Sequence, residues 1–583
     1  MRSSRHRRPA LGGLAAPPGT EHVETVVVGS GFGGSVTAYR LASSGRKVCV
    51  LERGKAYPPG SFPRRPREVA TNFWDPSEGL HGLFDVWSFK GIEALVSAGL
   101  GGGSLIYANV LLRKDEGWFV HERPDGSTEP WAVGRADLED HYAAVERMLG
   151  AQRLPFDAPG YDLAKTRALR DAAEARGLAW GLPNLAVTFA NPGTPPVPGE
   201  VLVEPPYPNL HGRTRLTCRL CGECDVGCNY GSKNTLDHTY LSAARDAGAD
   251  LRTRCEVRSF TPRPQGGYVV GYVEHRPEAE GRPTDTAALP LRHLTCDRLV
   301  LAAGTLGTTW LLLRNRAVLP DLSPTLGSRF SGNGDLLGVL LDSHGGGGGV
   351  RVVDSSLGPV ITSYVRVPDT LDGGDGPGHY VEDAGYPVAL DWMAELTQVP
   401  GTLRRLAGFA WRRLWAMVSH HPRSDISAQV GALIGDARLS SRSLLLLGMG
   451  RDVPDGTLSL HGGHLANDWT LDSSRPYFER LRATMASLGE GLGARSLDLP
   501  TWLRRRLITV HPLGGCPMGR HPGEGVVDGH GRVFGHPGLY VVDGSAMPGP
   551  VGPNPALTIA AFADRAAEAM LGEDGAGAAG RSR

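Results

Sequence analysis

The sequence predicts an α/β protein of more than one domain, and three observations carry that prediction. From Val23 a β-branched run, a glycine-rich turn and a helical stretch follow one another, and a second apolar run closes the unit at Glu52. The order strand, glycine turn, helix recurs from Leu299 to Asn315. At 583 residues the chain also exceeds what one hydrophobic core normally holds.

Composition narrows the classes. The 80 glycines have no fixed period and accompany 41% apolar residues, which excludes collagen-like and wholly disordered chains. Lys plus Arg and Asp plus Glu each number 61, so no net field draws nucleic acid, and nucleic acid is excluded as a partner. Of 8 cysteines, four crowd between Cys218 and Cys228, and Cys49, Cys255, Cys296 and Cys516 are scattered. That is not a secreted disulfide framework, and a reducing, cytoplasmic setting is expected. The basic, Pro/Gly-rich stretch 1–20 reads as a disordered tail; Arg7 and Arg8 are not followed by a signal-peptide core. No apolar run approaches the ~18 residues that span a bilayer.

The first glycine turn is the strongest local signal. Gly29, Gly31 and Gly34 satisfy G-x-G-x-x-G between a strand and a helix, with Gly33 in the same turn. Such glycines let backbone N–H groups approach a pyrophosphate at the helix N-terminus, where the helix dipole favours negative charge. Glu52, ending the second strand, is placed to accept from ribose hydroxyls and disfavours a 2′-phosphate. A second glycine turn, GLGGGSLIYANV, runs from Gly99 to Val110.

These two turns, together with VLAAGTLGTTWLLLRN, HPLGGCPMG and VVDGSAMPGPVGPNPALTIAAFADRAAE, resemble the glucose-methanol-choline (GMC) family of flavin oxidoreductases, in particular its bacterial cholesterol oxidase-like branch. The motifs run in family order from residue 23 to 568, leaving 116–204 and 340–500 without recognisable pattern. The resemblance implies a discontinuous Rossmann-like FAD-binding domain (21–115, 205–339 and 505–572) and a substrate domain on a mostly antiparallel sheet (116–204 and 340–504), with 573–583 as a disordered tail. It also implies that Gly101, Gly102, Gly103, Ser104 and Asn109 lie along the flavin and pyrophosphate, and that Asp543 and Gly544 contact the ribityl or phosphate region. No histidine lies between Gly99 and Val110, so FAD is expected to be non-covalent.

Oxidising an alcohol requires a base for the hydroxyl proton while hydride leaves carbon for flavin N5. His511 is the candidate: it ends an apolar run before a Pro/Gly turn, and the family's active-site histidine falls there. Asn554 matches a second polar active-site position; an amide cannot serve as a base but can orient the hydroxyl or polarise the nascent carbonyl. It also reads as the N-cap of a helix with Pro555 at the first position. Glu382, in HYVEDAGYP, is the candidate for the carboxylate attributed to cholesterol oxidases, against a solvated loop acid.

Two further features carry open alternatives. Cys218, Cys221, Cys224 and Cys228 have the C-x2-C-x2-C-x3-C spacing of iron–sulfur ligation, with packed thiols as the alternative. Apolar residues at helical spacing in 400–420, with arginines on other faces and Trp411 and Trp415, read as a foot on a membrane surface or as a helix over the substrate pocket. The expected function is FAD-dependent oxidation of a hydrophobic alcohol to a ketone, a 3β-hydroxysteroid being the candidate, with dioxygen or a redox partner as acceptor. The alternatives are a dehydrogenase passing electrons through an iron–sulfur cluster to a partner or quinone, and a non-catalytic flavin-binding electron carrier.

Overall fold

A computed structural model describes residues 14–581 apart from 65–67, 69, 123–126, 346–348, 386–441, 499–501 and 503–504. The region 400–420 thus lies outside the described residues. Among the described residues no helix is long and apolar enough to cross a membrane.

The predicted βαβ unit forms strand His22–Val28, helix Phe32–Ser43 and strand Val48–Leu51. The two strands pair in parallel, flanked by Asp250–Arg252 on one side and Arg292–Leu301 on the other, which also pairs in parallel with Leu539–Val541. An antiparallel hairpin, Cys255–Pro262 and Tyr268–Glu274, extends this seven-stranded sheet. Helices cover the sheet, so its strands read as near-continuous apolar runs: Val26, Val27, Val50, Leu299, Val300 and Val541 share one core with Val36 and Leu41 of the first helix and Ala560 of the last.

A second, wholly antiparallel sheet contains Ala179–Gly181, Tyr364–Val367, His379–Ala384, Ser443–Gly450, Leu336–Leu341 and Arg495–Asp498, in that order. Its strands alternate. Leu340, Val381, Leu444 and Leu446 pack with Leu169, from helix Ala164–Arg176, and Phe478 and Leu481, from helix Arg475–Gly491. Leu337, Val339, Ala384, Leu445 and Leu447 face the other way and line a large cavity. Strand Leu336–Leu341 belongs entirely to this sheet, so the boundary expected at 339–340 falls inside it.

The structure corrects both expected tails. The N–H of Leu14 donates to Thr261 Oγ1 (3.0 Å), which docks the end of 1–20 on the first sheet; residues 1–13 lie outside the described part. The helix Ala556–Arg581 runs on through 573–581 of the expected 573–583 tail. Glu573 is held there by Tyr540 and Arg532, and Asp574 pairs with Arg298 at 2.8 Å, contacts that tie down a stretch that composition alone makes look loose.

Candidate active site

The cavity, of about 1170 Å3, opens where the parallel strands end: Val28, Leu51, Ala302 and Asp543 line it, with the antiparallel sheet as its far wall. Ligands of open α/β sheets bind at this carboxyl end.

The first glycine turn is shaped by close packing on one side and space on the other. Gly29 has φ +95°, and a Cβ there would lie 2.4 Å from the Ala302 carbonyl oxygen. At Gly33 and Gly34 it would lie 2.2 Å from Val542 O and 2.0 Å from Gly29 O. At Gly31 it would meet no protein atom within 4 Å, and Gly31 lines the cavity. No side chain caps the helix that begins at Phe32, so its first N–H groups, which lack intrahelical acceptors, remain for an anion. A pyrophosphate fits this cradle.

Glu52 lines the cavity and also braces the turn: Oε2 accepts from the Ser30 N–H (3.1 Å) and Oγ (2.7 Å), and Oε1 from the Gly54 N–H (2.8 Å). Ser30 Oγ accepts from the Gly101 N–H (3.0 Å), which joins the two glycine turns. Gly102 packs on Gly31, and Gly102 and Gly103 line the cavity. Gly34, Gly101, Ser104 and Asn109 do not line it. Ser104 Oγ donates to Gly101 O (2.7 Å) and accepts from the Leu236 N–H (3.0 Å), so it holds the turn's shape. Asn109 is fully buried in the left-handed region (φ 71°), with no hydrogen-bond partner for its amide among the described residues. Ile106, Tyr107, Ala108 and Val110 present this turn to the cavity instead. Asp543 and Gly544 both line it; the Asp543 carboxylate also accepts from the Gly304 N–H (2.9 Å), Thr308 Oγ1 (2.5 Å) and the Ser545 N–H (2.9 Å), and burial raises its pKa.

At the polar edge of the cavity two distant segments converge. His511 follows strand Leu507–Thr509, and its Nδ1 lies 2.8 Å from Asp335 Oδ1. Asp335 Oδ2 accepts from Thr509 Oγ1 and the Val510 N–H, both at 2.9 Å. With a carboxylate on Nδ1, the hydrogen-bond pattern assigns the proton to Nδ1 and leaves the Nε2 lone pair free. Asn554 also lines the cavity, and its Nδ2 donates to Glu382 Oε2 at 3.3 Å. Glu382 is no solvated loop acid: it is fully buried in strand His379–Ala384, opposite Tyr364 and Leu447. Burial pushes its carboxyl pKa well above the usual range, and Oε1 has no partner among the described residues. Asp335, at the head of strand Leu336–Leu341, was not singled out from sequence; its signal is an acid at the end of a Gly-rich turn entering an apolar strand.

The cysteine loop lies against the cavity wall. Cys218 packs with Leu185, Phe189, Val360 and Ile361, and Cys221 bridges to Gly358. All eight cysteines are free, and burial pushes the Cys221 thiol up to about 12 and raises those of Cys218 and Cys224. Among the described residues, the group of three ligand atoms within 4.8 Å of one another is His211, Asp237 and His238, not the cysteines.

Fold and cavity together suit a dinucleotide-dependent enzyme, and sequence relatives make it an FAD-dependent oxidoreductase. Models of the GMC oxidoreductase family match residues 210–330 and 492–563, and one of an NAD(P)-binding Rossmann-like domain matches 27–60. A cholesterol oxidase of Mycobacterium tuberculosis is 31% identical over 93% of this chain and 90% of its own, and one of Acinetobacter baumannii is 29% identical over 93% of each. Paromamine 6'-oxidase of Streptomyces fradiae is 26% identical over 94% of this chain and 91% of its own. Among solved structures, formate oxidase of Aspergillus oryzae shares the fold, with a TM-score of 0.58 at 13% identity over 96% of this chain and 99% of that one. The chain belongs to the GMC oxidoreductase family and acts on alcohols. The electron-carrier alternative therefore gives way to an enzyme.

Proposed function

We propose that the chain oxidises a hydrophobic secondary alcohol to a ketone, a 3β-hydroxysteroid being the candidate substrate, with dioxygen as acceptor and in the cytoplasm. One observation carries this reading: His511 and Asn554 line the same cavity as Leu337, Val339, Val360, Ile361, Leu445 and Leu447. A large apolar surface beside a small polar edge suits a rigid hydrocarbon bearing one hydroxyl. The names of the cholesterol oxidase relatives support the sterol.

In this reading FAD is non-covalent, with its pyrophosphate at the N-terminus of helix Phe32–Ser43 and Glu52 on its ribose. When bound it supplies the hydride acceptor. Gly29, Gly31, Gly33, Gly102, Gly103, Asp543 and Gly544 shape its bed, while Gly34, Gly101, Ser104 and Asn109 support that bed from behind. His511 Nε2 takes the hydroxyl proton. Asn554, held by Glu382, orients the hydroxyl oxygen, and a protonated Glu382 spares the edge a second buried charge. Cys218, Cys221, Cys224 and Cys228 serve as packed thiols rather than as an electron exit.

The test is anaerobic bleaching of the flavin by a panel of sterols, long-chain alcohols and amino sugars, repeated with His511→Ala. Sterols should bleach fastest, and the variant should keep its FAD while losing about 10²–10⁴-fold in rate, the usual contribution of a general base. An equal rate in the variant removes His511 from the mechanism; bleaching by amino sugars alone removes the sterol.

A further inference from the structure

The turn Ser331–Asp335, which leads into strand Leu336–Leu341, carries polar side chains that are all buried: Ser331 and Asn333 wholly, and Asp335 to 3% exposure. Asp335 takes hold of the His511 segment through the three contacts already described. Asn333 takes hold of the other half of the polar edge. The Gly552 N–H donates to Asn333 Oδ1 (2.9 Å), and Asn333 Nδ2 donates to the carbonyls of Gly552 (3.1 Å) and Pro553 (3.3 Å), directly before Asn554. The turn is itself anchored: Asp452 accepts from Ser331 Oγ (2.5 Å) and the Gly332 N–H (3.1 Å), and the Gly450 N–H donates to Asn333 O (3.0 Å). Asn333 adopts a left-handed φ of 55°, which asparagine tolerates better than most residues and which these bonds hold in place.

We propose that Asp335 and Asn333 are positioning residues for alcohol oxidation: one short turn fixes both the ring of His511 and the loop that presents Asn554, and so sets their spacing. The proposal rests on the reading of His511 as the base. With Oδ2 engaged by Thr509 and Val510, the Asp335 carboxylate cannot rotate away from Nδ1, so Nε2 stays aimed at the cavity. The same carboxylate stabilises the imidazolium formed when the hydroxyl proton arrives at Nε2 as hydride leaves for FAD. Among the described residues, Asp225 acts on His511, and Glu382, Asp452 and Tyr477 act on Asp335.

The variants follow from the geometry. Asp335→Asn keeps the volume and loses the charge; Asn333→Gly keeps the left-handed backbone and loses the clamp. Flavin reduction by cholesterol and by 1-decanol is followed anaerobically in FAD-loaded wild type, both variants, His511→Ala and the Asp335→Asn/His511→Ala double variant. Asp335→Asn should slow reduction about 10- to 150-fold, the worth of a hydrogen bond to a charged group. Asn333→Gly should slow reduction about tenfold. In the double variant Asp335→Asn should add almost nothing. A histidine 15N spectrum, needing no substrate, should show the His511 tautomer disturbed in Asp335→Asn and not in Asn333→Gly. Wild-type rate in Asp335→Asn, an additive double variant, or an undisturbed tautomer overturns the role of Asp335; a wild-type rate in Asn333→Gly overturns that of Asn333. If His511→Ala itself reacts normally, the base reading fails, and Asn333→Gly alone then judges the turn.

Discussion

Replacing Gly31 with alanine should separate the ligand from the fold. Gly31 has φ −71° and ψ −167° at the helix N-cap, a conformation open to alanine, and a Cβ there meets no protein atom within 4 Å. Restricting the unfolded chain contributes about 0.4–1 kcal/mol of stability, and the poorer N-cap costs a similar amount, so the FAD-free protein should melt almost as wild type. A bound pyrophosphate meets the methyl directly. Losing one charge-assisted hydrogen bond costs about 1.5–3 kcal/mol, which weakens FAD binding about 10- to 150-fold. Gly33→Ala is the contrasting control: its Cβ would lie 2.2 Å from Val542 O, so it should lower the melting temperature even without FAD. The assay is equilibrium FAD titration of the stripped proteins beside their thermal midpoints. Wild-type FAD affinity in Gly31→Ala would falsify the placement of the dinucleotide, because nothing else in the cavity explains a glycine there.

Two further outcomes follow from buried groups. Burial raises the pKa of Glu382, so between the unfolded value of about 4.3 and the folded value the native state holds a proton that the unfolded chain has released. Stability contributed by that proton is present at low pH and fades as pH rises, so Glu382→Gln should flatten the fall of the thermal midpoint above the unfolded value; parallel curves for the two proteins would show that Glu382 is not held neutral. The packed-thiol reading of Cys218, Cys221, Cys224 and Cys228 predicts that anaerobically purified protein contains neither iron nor acid-labile sulfide in stoichiometric amount, and stoichiometric iron and sulfide would reverse it.

The parts legible in the sequence are those with local causes. A glycine turn between strand and helix is written at fixed offsets, because at Gly29, Gly33 and Gly34 the backbone approaches it demands exclude any Cβ. His511 and Asn554 were legible through short motifs around them, and both line the cavity. Contacts across the chain were not. The roles of Ser104 and Asn109 hang on which way a turn folds, and Glu382 could be placed on Asn554 only once strands His379–Ala384 and Ser443–Gly450 were in register.

The sequence by itself determined the parallel sheet and the first glycine turn, because turn chemistry and apolar periodicity act over a few residues, and its resemblance to family motifs offered His511 and Asn554 as candidates. Only the tertiary structure decided that Asp335 meets His511, that Asn333 clamps the loop before Asn554, and that the C-terminal tail is a docked helix. Those pairings join segments far apart in the chain, and the burial that makes each hydrogen bond matter exists only after the two sheets have closed around the cavity.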